Sequence, residues 1–332
     1  MIPETQQPAV TRALNETFGV NEFEELQLLT GGLSSARAFK IVVRKNTYLL
    51  KILRTELISD PKNEFACIQA AAEAGIAPRI CYASVEDRIM ITDFVEAKPF
   101  PEDMLPLIVP TLRTLHSLPP FPKLIMRSYF DTLNRLFVRR FQAAKLLPES
   151  ETEELFRLYA DVQKLYLRNE SDLVASHNDL KPQNMRFDGN RLWLVDWESA
   201  FLNDRYVDLA VVANFFVKDE AHEGSYLSAY FGEPVDEYKR ARFFLTRQAV
   251  SMFYAALLLL EASSAGLSID ADMITTDFRK YHQELIADKI DMLTAEAKAE
   301  YGMLHLREAL RNMRTPRFEE AVAQVSDFHA SA

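Results

Sequence analysis

Cysteine is nearly absent: the 332 residues contain only Cys67 and Cys81, both in apolar surroundings that suggest burial. That argues against a disulfide framework and favours a reducing compartment. Tryptophan is as scarce, with Trp193 and Trp197 alone. Basic charge is in deficit, since 38 Lys and Arg face 48 Asp and Glu for a net −10. A general nucleic-acid binder rests on basic contacts to phosphate, so that class is set aside, and the balance leans toward cationic ligands. The longest uncharged run, 248–260, is shorter than the roughly 20 apolar residues a bilayer span needs, and reads as a buried helix. The start, MIPETQQPAV, has neither a basic n-region nor an apolar core, so no signal peptide is expected. Repeats and low-complexity segments are also missing. What remains is a composition of 48% hydrophobic and 26% charged residues, ordinary for a globular chain. The expectation is a soluble, cytoplasmic protein without membrane insertion.

In chain order, residues 1–25 read as a helix-containing lead-in delayed by Pro3 and Pro8. LQLLTGGLSSARAFKIVV and NTYLLKIL follow as runs rich in β-formers, with Arg44-Lys45-Asn46 as the turn between strands. Gly31 and Gly32, followed by Ser34 and Ser35, form either a plain hairpin turn or a loop whose N–H groups face phosphates. Lys51 interrupts an apolar strand, which calls for either an edge position or a carboxylate partner. Glu64 supplies one. It lies in the first turns of a helix opened by Asp60-Pro61 and closed by Gly75, where an acidic residue is also favourable in its own right. Residues 76–82 and 88–95 read as two more strands. The chain then loosens at Pro99 and Pro101, a hinge whose backbone could serve an adenine ring or simply end a strand. A lobe boundary is placed here, giving an N-terminal nucleotide-binding lobe at 1–96 and a helical catalytic and substrate lobe at 97–332. Helices are expected at 104–118, over 129–168 with a break near Pro148, and at 205–217, 221–231, 235–262, 271–299 and 303–313. Sheet first and helices after is an α+β arrangement.

The segment 176–198, SHNDLKPQNMRFDGNRLWLVDWE, carries the chemistry. Asp179, Asn184 and Asp196 lie close to the short apolar runs LVAS and LWLV, so a pair of strands would gather them at one edge of a cleft. An asparagine oxygen and a carboxylate are enough protein for a Mg²⁺ ion that keeps water and substrate phosphates in its shell. Asp179 is then left to orient a hydroxyl or accept its proton, and Lys181 to offset charge on the transferring phosphate. The competing reading is an exposed loop of turn-forming residues.

HNDLKPQN and LVDWE resemble the catalytic and metal-binding segments of the aminoglycoside phosphotransferase and choline/ethanolamine kinase families. The resemblance spans about 25–262 and is most specific over 174–216. It implies a bilobal protein-kinase-like fold, with a small antiparallel-sheet lobe before a large helical one. It also implies ATP and Mg²⁺ as cofactors and a small-molecule hydroxyl acceptor. By residue, it implies Asp179 as catalytic base and Asn184 with Asp196 as metal ligands. Lys51, paired to Glu64, would hold the α/β phosphates, and Gly31, Gly32, Ser34 and Ser35 would cover them. Adenine would lie near the backbone of Asp93, Phe94 and Val95. His177 and Asp208 would brace the catalytic loop. Protein kinase is disfavoured by DWE in place of DFG, and by the lack of an APE-like segment or a regular glycine loop. HND and NDRYVDLAVVANFF resemble the choline-kinase branch, whose quaternary ammonium needs aromatic faces and carboxylates. Glu198, Trp197, Tyr206, Phe253 and Tyr254 are the candidates for that wall. The C-terminal helices hold no tryptophan, which departs from the family's aromatic cage. Choline- or ethanolamine-like, aminoglycoside, sugar and homoserine-like acceptors therefore all stay open, as does a catalytically inert nucleotide-binding scaffold.

Overall fold

The computed structural model describes residues 2–29, 37–53, 61–122, 130–166 and 169–331. Gly31, Gly32, Ser34, Ser35 and the helix-opening Asp60 lie outside the described residues. Packing divides the chain into two compact units, Met1–Met126 with Ala175–Leu202, and Arg127–Val174 with Asn203–Ala332. These units and the lobes drawn at 1–96 and 97–332 are different divisions of the chain.

The first unit begins with α1 (Gln7–Phe18) and a five-stranded antiparallel sheet. Its strands are β1 (Glu25–Leu29), β2 (Arg37–Val43), β3 (Asn46–Ile52), β4 (Ile80–Ser84) and β5 (Ile89–Asp93), in the order β1-β2-β3-β5-β4. Arg44 and Lys45 join β2 to β3 with φ of 50° and 65°, a two-residue turn whose twist matches that of the strands. Period-two alternation places Phe39, Ile41, Val43, Leu50, Ile52, Ile89 and Ile91 in one core with Val10, Ala13 and Leu14 of α1. Lys51 is one residue out of phase with Leu50 and Ile52, so it projects from the other face of β3. There α2 (Pro61–Glu73) brings up Glu64.

Gly75, at φ 73°, closes α2 by the two hydrogen bonds of a Schellman end: Ile76 N–H to Ala71 O (3.0 Å) and Gly75 N–H to Ala72 O (3.0 Å). This motif consumes Ile76 and Ala77, which is why β4 starts at Ile80 and not at 76 as the apolar run suggests. The unit also holds α3 (Leu105–His116). Cys67 is buried but Cys81 only half-buried, which corrects the expectation for the second; both are free thiols.

The motif segment supplies β6 (Leu173–Ser176), β7 (Met185–Phe187), β8 (Leu192–Leu194) and β9 (Phe201–Asp204). LVAS and LWL do not pair with each other as expected. β6 pairs with β9, and β8 forms a hairpin with β7 in the register Met185↔Leu194. Asn184 immediately precedes that hairpin and Asp196 follows it, so the hairpin still draws the two together.

The second unit is helical: α4 (Phe130–Ala144), α5 (Glu149–Leu165), α6 (Arg205–Phe216), α7 (Glu220–Phe231), α8 (Glu237–Ser264), α9 (Phe278–Ile286), α10 (Ala295–Met313) and α11 (Pro316–Ser331). α4, α5, α6, α10 and α11 all pack on α8. By length and by its mean hydropathy of 1.6, α8 could cross a membrane, yet 72% of its most apolar window is buried inside the protein. The buried-helix reading holds, over a longer helix than the uncharged run alone.

A continuous helix over 271–299 does not form. Asp277 caps α9 by accepting from the N–H groups of Arg279 and Lys280, and Asp288 at φ 54° follows its end. Thr294 then caps α10, which runs on through the helix expected at 303–313. α11, which the sequence reading omitted, starts at Pro316 in the first-turn position where proline costs no hydrogen bond.

Candidate active site

Lys51 is 7% exposed, and its Nζ donates to Glu64 Oε1 at 2.9 Å and Asp196 Oδ1 at 3.0 Å. Burial works to strip its proton. The charges of Asp196 and Glu64, with both hydrogen bonds, outweigh that and raise its pKa above the ordinary lysine value. Asp196 shows the complement: burial pushes its carboxyl up, but Lys51 first, then Lys181 and His177, hold it below the usual carboxylate value. Its backbone sits at φ 66°, a left-handed conformation that costs L-residues about 1–2 kcal/mol and that Asp tolerates better than most.

A second cluster forms around Asp179. Pro182 opens a short 3₁₀ turn, Pro182–Asn184, whose end presents Asn184 back to the aspartate. Asp179 Oδ2 accepts from Asn184 Nδ2 at 2.8 Å and from Lys181 Nζ at 2.7 Å, and Asn184 Nδ2 also donates to the Asp179 carbonyl at 2.8 Å. Two donors on Oδ2 fix the orientation of the Asp179 carboxylate. Burial lowers the Lys181 pKa, but Asp179, then Asp196 and Glu198, raise it overall. The two clusters therefore share one electrostatic environment.

The loops carrying these groups are laced together. His177 is fully buried, and its Nε2 lies 3.0 Å from the Val195 carbonyl, so that nitrogen carries the proton. Val195 N–H donates to Asn184 O at 2.9 Å. Asn178, at φ 66°, points its Nδ2 at the carbonyls of Ser199 (2.9 Å), Ser176 (3.3 Å) and Phe201 (3.5 Å). Sequence reasoning passed over Asn178. Its signal was the residue type, since Asn accepts a left-handed backbone more readily than other side-chain-bearing residues.

At the end of β5, Asp93 forms a two-point ion pair with Arg79, with hydrogen bonds of 2.9 and 3.0 Å. The N–H of Asp93 goes to Arg79 O at 3.0 Å and that of Phe94 to Thr47 O at 3.4 Å, while Val95 follows half-buried.

Two of the aromatic residues expected to line the acceptor site are buried. Trp197 is 1% exposed, tilted against His177 at 4.8 Å and edge-on to Phe121 at 6.2 Å, with its Nε1–H on Leu194 O. Its faces are spent in the core. Tyr206, on α6, is 2% exposed with Arg242 over its ring at 5.3 Å. Phe253 packs edge-on between Phe130 and Phe137. Tyr254 is half-buried and stacked on His305. Glu198 is half-buried and close enough to act on Lys181. Asp208 is wholly buried on α6, in the second unit with Tyr206 and Tyr254. Lys51, Glu64, Asp179, Lys181, Asn184, Asp196 and Glu198 all belong to the first.

The model of the phosphotransferase enzyme family (APH) matches residues 25–244. Protein LicA of Haemophilus influenzae is 30% identical over 96 residues, which are 29% of this chain and 31% of that protein. The chain thus aligns with about a third of the length of this relative. Among solved structures, a choline/ethanolamine kinase family protein from Mesorhizobium loti superposes with a TM-score of 0.65 at 17% identity, covering 96% of this chain and 99% of that one. The choline kinase LicA of Streptococcus pneumoniae gives a TM-score of 0.60 at 17% identity, over 93% and 99%. At such identities the likeness is one of fold, and the α+β, kinase-like fold expected from the sequence is the fold found.

Proposed function

Because this chain belongs to the phosphotransferase enzyme family (APH) over residues 25–244, we propose that it transfers the γ-phosphoryl group of ATP to a hydroxyl of a small molecule. The observation that carries this reading is the Asp179 carboxylate, held in a fixed orientation by hydrogen bonds from Lys181 and Asn184. In-line transfer asks little of the protein beyond positioning and charge. Asp179 takes or steers the hydroxyl proton. Lys181, drawn to Asp179 here, swings between that carboxylate and the transferring phosphate. Lys51 holds the α/β phosphates, positioned by Glu64. With the N–H groups of Asp93 and Phe94 engaged, Val95 is the hinge residue assigned to adenine. His177 braces the catalytic loop through the Val195 carbonyl.

Mg²⁺ suits the remaining groups. Asp179 holds the amide nitrogen of Asn184, which turns the amide oxygen away from it, and the Asp196 carboxylate completes a hard, all-oxygen donor set. Asn184 and Asp196 would hold the ion, which supplies neutralisation of phosphate charge.

The acceptor we favour is a cationic amino alcohol of the choline or ethanolamine class. Among the described residues, four carboxylates, Glu64, Asp179, Asp196 and Glu198, act on the two lysines Lys51 and Lys181, and the Mesorhizobium neighbour is described as a choline/ethanolamine kinase family protein. Consumption of ATP over a panel of amino alcohols, aminoglycosides, sugars and homoserine tests the assignment. Asp179→Asn is expected to abolish turnover while nucleotide binding by calorimetry persists. Full activity in that variant sinks the mechanism. ATP binding without turnover on any acceptor favours the inert scaffold.

A further inference from the structure

We propose that Asn178 is a positioning residue that sets the spacing between Asp179 and Asp196, an inference that rests on the phosphotransfer reading above. Its amide nitrogen faces three carbonyl oxygens: Ser199 at 2.9 Å, Ser176 at 3.3 Å and Phe201 at 3.5 Å. This fixes the orientation of the amide, because an oxygen in that place would meet three acceptors and no donor. Ser176 lies just before the catalytic aspartate, whereas Ser199 and Phe201 lie just after the metal-binding one. One side chain thus fastens the exit of the Asp196 segment to the entrance of the Asp179 segment.

The β6–β9 pairing joins the same two segments beyond Ser176 and Phe201, and the other ties act on the near side of Asp196. His177 and the Asn184 carbonyl both engage Val195, on the near side of Asp196. Asp196, left-handed at φ 66°, therefore sits between two anchors, Val195 before it and Ser199 after it. Between Asp196 and the start of β9, the Ser199 anchor is made by the Asn178 amide. Release of that anchor lets the left-handed turn relax and moves the Asp196 carboxylate relative to Asp179, while the sheet, Lys51 and the hinge stay where they are. The backbone of Asn178 at φ 66° adds a second demand, because it turns the chain so that the next residue, Asp179, is presented to the site.

Glycine and alanine separate the two roles. Asn178→Gly keeps the left-handed backbone and removes the amide; Asn178→Ala removes the amide and strains the backbone. The variants are compared with the parent for kcat, KM for ATP, melting temperature and hydrogen exchange of segment 196–202. For Asn178→Gly, kcat is expected to fall by about 100-fold, with KM for ATP within about twofold of the parent. Its melting temperature stays within a few degrees of the parent, and 196–202 exchanges faster. Asn178→Ala shows the same loss of kcat with a lower melting temperature. Parental kcat in Asn178→Gly overturns the proposal, because the backbone alone then suffices; unchanged exchange in 196–202 overturns it too. Should the parent itself phosphorylate nothing on the panel, the functional reading fails, and the exchange data alone still decide whether the amide fastens the two segments.

Discussion

Replacing His305 tests how this protein responds to acid. His305, on α10, is wholly buried, and neither ring nitrogen has a hydrogen-bond partner among the described residues. Tyr254, Phe278 and Tyr301 surround it, with ring centroids at 5.3, 5.0 and 4.5 Å. Nearby on α9, His282 makes a 2.8 Å hydrogen bond with the Tyr301 hydroxyl. Burial, with Arg247 and Arg279 adding repulsion, pushes His282 down to about 3, and burial beside His282 pushes His305 well below its ordinary value. Both rings are neutral in the fold. The unfolded chain binds protons at these sites below about pH 6.5, so stability is complete above that pH and falls as pH drops toward the folded values. Each histidine removes about 1.4 kcal/mol per pH unit in that window, so going from pH 7.5 to 5.5 costs about 3 kcal/mol for the pair. His305→Leu gives up ring contacts but also two unsatisfied nitrogens, so at pH 7.5 it should stay within about 1 kcal/mol of the parent. Its loss between pH 7.5 and 5.5 should be smaller by about 1 kcal/mol. Urea denaturation followed by helical circular dichroism at the two pH values measures both. Equal losses in parent and variant would show that His305 is protonated in the fold, and the reasoning would fail.

Three further perturbations carry magnitudes. Lys51→Met strands Glu64 and Asp196 without their shared cation; a loss of about 3–5 kcal/mol by thermal or urea unfolding is expected, together with a raised KM for ATP. Arg242→Leu leaves Asp204, whose carboxyl burial already raises, without its 2.7 Å partner, and should cost a similar about 3–5 kcal/mol by urea unfolding. Gly302→Ala would set a Cβ 2.8 Å from Leu259 Cγ where α10 crosses α8, and should lower stability by about 1–3 kcal/mol without altering KM for ATP in a steady-state assay.

Much of this was legible in the sequence because the signals were local. Runs of β-forming residues bracketed by turn residues marked the sheet, and Pro148 separated α4 from α5. Asp179, Asn184 and Asp196 stood out because polar groups at short spacing beside apolar runs have few other uses. The misses share a different cause. The break between α9 and α10 rests on Asp277 and Thr294, whose capping shows only once the backbone is built, since such residues also occur inside helices. Trp197 looked available to a ligand because sequence reports aromatic character but not which ring faces are already covered. The pairing of LVAS with β9 depends on a partner, FLND, that follows the motif. Arg242, 38 residues from Asp204, met it only through the packing of α8.

α8 has one more consequence, for how the protein is made. Part of its cover comes from α10 and α11, which follow it in the chain, while α4, α5 and α6 precede it. At ordinary synthesis rates, about 2–10 s separate the completion of α8 from that of α10. For that interval the nascent chain carries a long apolar helix without α10 and α11, one that membrane-targeting factors and chaperones would both recognise. Chains shortened before α10 should therefore fail through aggregation or misrouting, even though every group assigned to phosphoryl transfer has already been synthesised.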